Sequence, residues 1–213
     1  KLTRDDLIQY YEMMYVPNNT IFVAVGDFDT LKVLPKIKEA FKNFKRKFSS
    51  LIVLPEEPKQ MGKRNIVKTM KVKDNDQGLA RIMMGYHTVS ISHKDLYALD
   101  VLSIILGSGK SSRLTKELKE KKKIVYEIDS SSETPSQHGI FYIFAVLDPE
   151  NLNITETSII EEIEKFKSKP VDEKELITAK NKVISSFVFS KQEIFNQAYG
   201  LASSELITGN VNF

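Results

Sequence analysis

The sequence predicts an α+β fold, an antiparallel sheet with helices packed on one face. Strand-like runs come in pairs joined by short polar turns, residues 65–73 with 81–87 and residues 125–131 with 138–147. Helix-like segments, with apolar residues three and four apart, lie between and after these pairs instead of alternating with single strands as a parallel sheet requires. In the first run Ile66, Met70 and Val72 fall on one side of an imperfect alternation, which suits an edge strand with one wet face.

A chain of 213 residues can bury roughly 70% of its unfolded surface, enough for one substantial domain or two small ones. Its 41% apolar and 28% charged residues are ordinary for a globular protein. With 31 basic and 28 acidic side chains the net charge is +3, which gives no electrostatic case for nucleic acid as a partner. Short basic clusters at 42–47 and 119–123 neighbour acids and read as solvated faces. The absence of cysteine excludes a disulfide framework and a thiolate metal site. No apolar run reaches the roughly 18 residues of a membrane span. The chain opens on Lys1, shows no signal peptide and reads as a fragment, so its compartment is not legible.

Taken in order, Thr3 and Asp6 outline a capping box that opens a helix through about Tyr15, ended by Pro17. Residues 20–25, β-branched and aromatic, fit a buried strand closed by Gly26-Asp27. Asp29 or Thr30 caps a second helix with Leu34, Ile37, Phe41 and Phe44 along one side. Residues 45–64 carry Ser49-Ser50, Pro55, Pro58 and Gly62 without a sustained period. They mark a boundary: residues 1–48 close one domain, 49–64 link, and 65–213 form a second. In that second domain Asp74-Asn75-Asp76 turns the first strand pair, and Ile82, Met84 and Tyr86 share a face of its second member. Ser92 caps a helix over 93–106 that is apolar on most sides and therefore buried. A polar stretch, 132–137, turns the second pair. Three helices follow: residues 150–168 with a stripe of Ile159, Ile160, Ile163 and Phe166, a helix opened by the box Asp172-x-x-Glu175 and running to about Lys191, and a last one through Ala198, Leu201 and Leu206 that stops at Gly209-Asn210. Glu161, Glu162 and Glu164 read as a solvated helix face.

The stretch that organises the chain is 106–128, a glycine-bearing loop, a short basic helix and a strand. Gly107-Ser108-Gly109 can approach another backbone closely. Ser111 or Ser112 is a suitable N-cap, and Leu114 and Leu118 give the helix a buried side. Lys119, about 100° further around an α-helix, flanks that side, and Tyr126 opens the next strand. A cation near a helix end and a phenol at the following strand can converge on one surface. Gly109-Lys110-Ser111 also spells the end of a phosphate-binding loop. That motif requires a glycine where Ile104 stands and a strand where 96–106 reads as helix, so nucleotide binding is set aside.

The same stretch resembles the second-domain signature of the pitrilysin, insulinase and mitochondrial processing peptidase family of zinc metallopeptidases. The signature runs Leu-Gly-x-Gly-x-Ser-Ser-Arg-Leu, then a helix bearing Arg-Glu-Lys, then a Tyr on a strand. Leu106, Gly107, Gly109, Ser111, Ser112, Arg113 and Leu114 match it, followed by Lys119-Glu120-Lys121 and Tyr126. Tyr15-x-Pro17-x-Asn19 with Val25-Gly26-Asp27 resembles the closing β-α unit of the family's first, zinc-bearing domain, and Glu175-Leu176-x-x-Ala179-Lys180 resembles a further family motif. The resemblance implies the LuxS/mitochondrial processing peptidase-like metallohydrolase fold and a clamshell whose halves are joined by a segment such as 49–64. It makes this chain the non-catalytic half, cut short at its carboxyl end.

Members of that family hold zinc with His-x-x-Glu-His on a helix plus a later Glu, the intervening Glu serving as general base. His87, His93 and His138 lack that spacing. No catalytic or metal-ligating residue is therefore assigned to this chain, no cofactor is expected in it, and zinc is expected in the complete enzyme. The resemblance instead assigns substrate contact. An Arg and a Tyr, seven apart, face the metal across the closed chamber and hydrogen-bond the substrate backbone. They fall on Lys119 and Tyr126, which have the same separation. Tyr126 matches, whereas Lys119 departs, since an ammonium donates to a carbonyl but lacks the planar fork of a guanidinium. Gly107 and Gly109 read as a close-packing turn that can also line the chamber. The implied partners are a peptide substrate and the upstream zinc-bearing domain or a homologous subunit. A second reading stays open. Related subunits that have lost the metal motif act as the binding partner of an active chain or as structural core subunits of respiratory complexes, and a lysine at 119 suits such drift.

Overall fold

A computed structural model of the chain describes residues 2–45, 55, 58, 60–71, 78–135 and 138–212. These divide into two units, residues 1–56 with 189–213 and residues 57–188. The helices are α1 (Arg4–Met14), α2 (Thr30–Ala40), α3 (Leu96–Leu106), α4 (Leu152–Ser168), α5 (Glu173–Ser190) and α6 (Ile194–Thr208), and the strands are β1 (Ala80–Thr88), β2 (Glu127–Glu133) and β3 (Gly139–Leu147). No described helix is long and apolar enough to cross a membrane.

In the unit 57–188, alternation along β3 decides the architecture. It pairs antiparallel with both neighbours, giving the order β1-β3-β2. The register sets Tyr86 opposite Phe141, Met84 opposite Ile143, and both Ile82 and Ile128 opposite Ala145, so apolar side chains of all three strands share one face. Phe141, Ile143, Ala145 and Leu147 are buried there with Leu106 of α3, Ile159 of α4, and Leu114 and Leu118 of the intervening segment. The other face leaves Met83 66% exposed. Helices on one side of an antiparallel sheet are the architecture the sequence predicts.

Several local expectations need correction. Described residues 65–71 carry no strand pairing, and the expected turn at 74–76 lies outside the described residues. The nearby Lys63 ammonium meets Glu156 of α4, and Ile66 and Val67 stay solvent-exposed without a ladder to join. Helix α3 opens at Leu96, three residues late. The Ser92 hydroxyl is engaged with that of Ser90 (3.1 Å) and the Asp95 amide donates to His93 Nδ1 (3.2 Å), so Ser92 caps nothing. Strand β2 begins at Glu127 and extends through Glu133, pairing Ser132 and Glu133 with Phe141 and Ile140 where a turn is expected. On α4 the expected Ile159, Ile163 and Phe166 pack on the core, but Ile160 faces solvent and Thr155, Ser158 and Glu162 are buried instead. Glu162 is thus no surface acid, and its carboxylate is taken by Lys165 at 2.5 Å. The start of α5 is capped by Asp172, which accepts from the amides of Lys174 (2.9 Å) and Glu175 (3.3 Å). Glu175 does not close the box, because its carboxylate is used elsewhere.

In the other unit the box at α1 forms as expected. Thr3 Oγ1 accepts from the Asp6 amide at 3.3 Å, and Asp6 Oδ2 accepts from the Thr3 hydroxyl at 2.7 Å and the Thr3 amide at 2.8 Å; the hydroxyl bond, then the amide bond, hold the Asp6 carboxyl below its ordinary range. The helix stops ahead of Pro17, and Asp29 caps α2 by accepting from the Leu31 amide at 2.9 Å. Residues 20–25 form no strand, since no described segment offers them a ladder, but Phe22 packs on Phe41 with ring centroids 5.6 Å apart. Helix α6 ends at Gly209 with φ +68, a left-handed cap that favours glycine.

Candidate functional site

The glycine loop follows directly from the end of α3, where the amides of Gly107 and Ser108 both donate to the Ser103 carbonyl at 3.0 Å. Gly107 lies against β2. A Cβ there would sit 2.6 Å from the backbone nitrogen of Ser130, whose hydroxyl in turn donates to the Ser103 carbonyl at 2.8 Å. Gly109 has φ +84 and is open to solvent, so it sets the turn and Gly107 sets the packing.

Neither serine after the loop caps a backbone amide with its side chain. Ser112, 1% exposed, donates to the Thr115 hydroxyl at 2.8 Å, and Ser111 accepts from Lys182 Nζ at 2.6 Å. The segment Thr115–Lys121 is wound as a π-helix, closed by the Lys122 amide donating to the Glu117 carbonyl at 3.0 Å. Such wide turns recur at functional sites. The expectation of α-helical geometry fails, yet its consequence for burial holds. Leu114 and Leu118 are fully buried and Lys119 is exposed. Lys123, at φ 54, ends the segment in a conformation uncommon for a side-chain-bearing residue.

Tyr126 stands just before β2, its amide donating to the Val146 carbonyl at 2.8 Å. Val125 beside it is buried, whereas Tyr126 is 52% exposed. Its hydroxyl donates to Asp148 Oδ2 at 3.0 Å. That bond, together with the charges of Asp148 and Glu150, pushes the phenol pKa up and keeps it protonated. The described contacts join Tyr126 to Asp148 and place no bond between Tyr126 and Lys119. Asp148 was not foreseen, and its only sequence signal is an acid between an apolar strand and Pro149.

The loop is tied to the helices by Arg113. Its Nε and Nη2 donate to the two carboxylate oxygens of Glu175 at 2.9 and 2.6 Å, and the guanidinium lies 4.0 Å over the Phe166 ring. The Glu175 bond is the main cause holding the Arg113 pKa above its ordinary value. This clamp joins the signature arginine to the acid of the second family-like motif, a pairing spacing could not show.

A zinc ion does not fit the described residues. Among the described residues no three of His, Cys, Asp or Glu converge as ligands, and His93 Nδ1 already accepts a hydrogen bond.

Comparison with known proteins bears on the family and the fold. Residues 1–183 match the family described as Peptidase M16 inactive domain. The zinc protease PqqE of Helicobacter pylori is 30% identical over 212 residues, covering 98% of this chain and 47% of that protein. The crystal structure of a protease from Helicobacter pylori superposes with a TM-score of 0.84 at 29% identity, covering 97% of this chain and 50% of that one. A chain of Complex III2 from Candida albicans shares the fold, with a TM-score of 0.70 at 19% identity, covering 98% of this chain and 50% of that one. The chain thus spans about half the length of the relatives it matches. By its fold, its loop signature and its family match, this chain belongs to the peptidase M16 inactive-domain family.

Proposed function

We propose that this chain is the substrate-contacting, metal-free half of a zinc metallopeptidase that hydrolyses peptides in a closed chamber. In this reading residues 1–48 close the zinc-bearing domain and 49–64 link it to the second. Zinc and its general base come from the partner half, and Tyr126 and Lys119 bind the peptide backbone. The observation that carries the reading is the Tyr126 hydroxyl, a protonated donor held at the surface by Asp148 rather than enclosed in the core. To donate to a substrate carbonyl, the phenol exchanges its bond to Asp148 for one to the peptide, a swap between two oxygen acceptors that costs little net hydrogen bonding. Lys119, exposed and joined by no described hydrogen bond, supplies a mobile positive charge to the same peptide. In this reading Gly107 and Gly109 form a turn that lines the chamber.

The test is Tyr126→Phe in the complete protein, with peptide turnover as the readout. Losing one oxyanion-type donor costs about 3–4 kcal/mol of transition-state stabilisation, so kcat should fall by roughly a hundredfold or more with the fold intact. Unchanged kcat would refute the assignment, as would chelator-sensitive cleavage by this chain alone.

A second reading is favoured by the lysine at 119 in place of the family arginine. Here the chain belongs to a metal-free partner or structural subunit that acts through protein–protein contact. An intact His-x-x-Glu-His in the zinc-type half supports the peptidase, and a degenerate one supports the partner.

A further inference from the structure

We propose that the cleft between the glycine loop and the start of α5 binds a phosphate-class oxyanion. The cleft has a volume of about 390 Å³ and is lined by Ser111, Lys116, Asp172, Lys174, Glu175 and Lys182, with apolar side chains of α3 and α5 completing the wall. Its two carboxylates are already engaged. Asp172 caps α5 through the amides of Lys174 and Glu175, and Glu175 is held in the fork of Arg113. The three ammonium groups are not so engaged. Lys182 Nζ donates to the Ser111 hydroxyl at 2.6 Å, and no carboxylate pairs with Lys116, Lys174 or Lys182 among the described residues. An ammonium carries three donors, so Lys182 keeps two for a ligand.

Three ammonium groups line one partly apolar cleft. The Asp172 carboxylate, bonded among the described residues only to neutral amides, offsets just one of them, which leaves a net positive charge to attract an anion. A carboxylate ligand would offset one more. A phosphate brings up to two charges and several acceptor oxygens, which suits lysines acting as point charges around it. The amides at the start of α5 are occupied by Asp172, so the lysines and Ser111 carry the site. The fold also separates this cleft from a nucleotide-binding loop, because Gly109-Lys110-Ser111 leads into a π-wound segment and follows a helix instead of a strand. The ligand class is therefore inorganic phosphate or a short polyphosphate. This inference is independent of the peptidase reading.

The test is isothermal titration of the complete protein with inorganic phosphate and with tripolyphosphate at fixed ionic strength, with acetate as a competitor. Saturable binding with Kd at or below about 1 mM is expected, tighter for tripolyphosphate and undisturbed by acetate. The double variant Lys116→Ala/Lys182→Ala should weaken it at least roughly tenfold. Lys94→Ala, an exposed lysine outside the cleft, should leave it unchanged. Lys116→Gln alone, which alters only an exposed side chain, should weaken binding severalfold and serves should the double variant not fold. No saturation by about 10 mM, equal competition by acetate, or wild-type affinity in the lysine variants would overturn the proposal.

Discussion

The two glycines of the loop make unequal demands, and alanine substitution separates them. At position 107 an added Cβ would lie 2.6 Å from the Ser130 backbone nitrogen and 2.8 Å from its Cβ. A real Cβ tolerates neither distance, and the obstructing nitrogen belongs to a sheet strand that cannot rotate away. Overpacking of this kind costs about 3 kcal/mol or more, the upper end for methylene insertions into a packed interior. At position 109 only Lys182 Nζ lies nearby, at 3.6 Å, so the penalty is the left-handed backbone at φ +84, about 1–2 kcal/mol. Urea unfolding followed by circular dichroism reads both. With an m-value of roughly 2 kcal/mol/M, Gly107→Ala should lower the midpoint by about 1.5 M and Gly109→Ala by about half that, with m unchanged. A midpoint for Gly107→Ala equal to or above that of Gly109→Ala would refute the claim that the loop is pinned to β2 by backbone contact.

Two further outcomes follow from the same neighbourhood. Arg113→Ala should destabilise by about 2 kcal/mol, below the cost of breaking a fully buried pair because both partners keep about a quarter of their side-chain surface, and a double-mutant cycle with Glu175→Gln should show coupling of about 1 kcal/mol. Additive effects would show that the fork contributes no pairwise energy. For Tyr126, whose phenol pKa is raised above the ordinary 10.0 by Asp148, the bonded neutral form is fully present below pH 10 and is lost as pH rises through the higher folded value. Ultraviolet difference titration against Tyr126→Phe should therefore show this phenol ionising at lower pH in Asp148→Asn than in the wild type, and no change would refute the bond.

Local chemistry was legible where a residue's partner lies within a turn of it. The Thr3–Asp6 box, the Asp29 cap and the stop at Gly209 all act across four residues or fewer, and the strand-like run 138–147 was identified as a strand that pairs with the one before it. Expectations failed where a local signal met a distant competitor. Glu175 has the spacing of a capping box, but a charged fork from a residue 62 positions away is the stronger partner. Residues 20–25 have strand chemistry and no ladder, and propensity without a neighbour's hydrogen bonds makes no sheet. Lys119 and Tyr126 were legible as a spacing, while the acid that holds the phenol was not, since it lies 22 residues further on.

The sequence by itself determined where the long helices lie, the caps at Thr3, Asp29 and Asp172, and the loop signature that names the family, because each rests on interactions between close neighbours along the chain. Tertiary structure alone decided that Gly107 touches Ser130, that Arg113 grips Glu175 over Phe166, that Thr115–Lys121 winds as a π-helix, and that Tyr126 answers to Asp148. Those outcomes depend on which distant groups the packed sheet and helices bring within bonding distance, and buried or charged groups take the strongest partner that packing offers them.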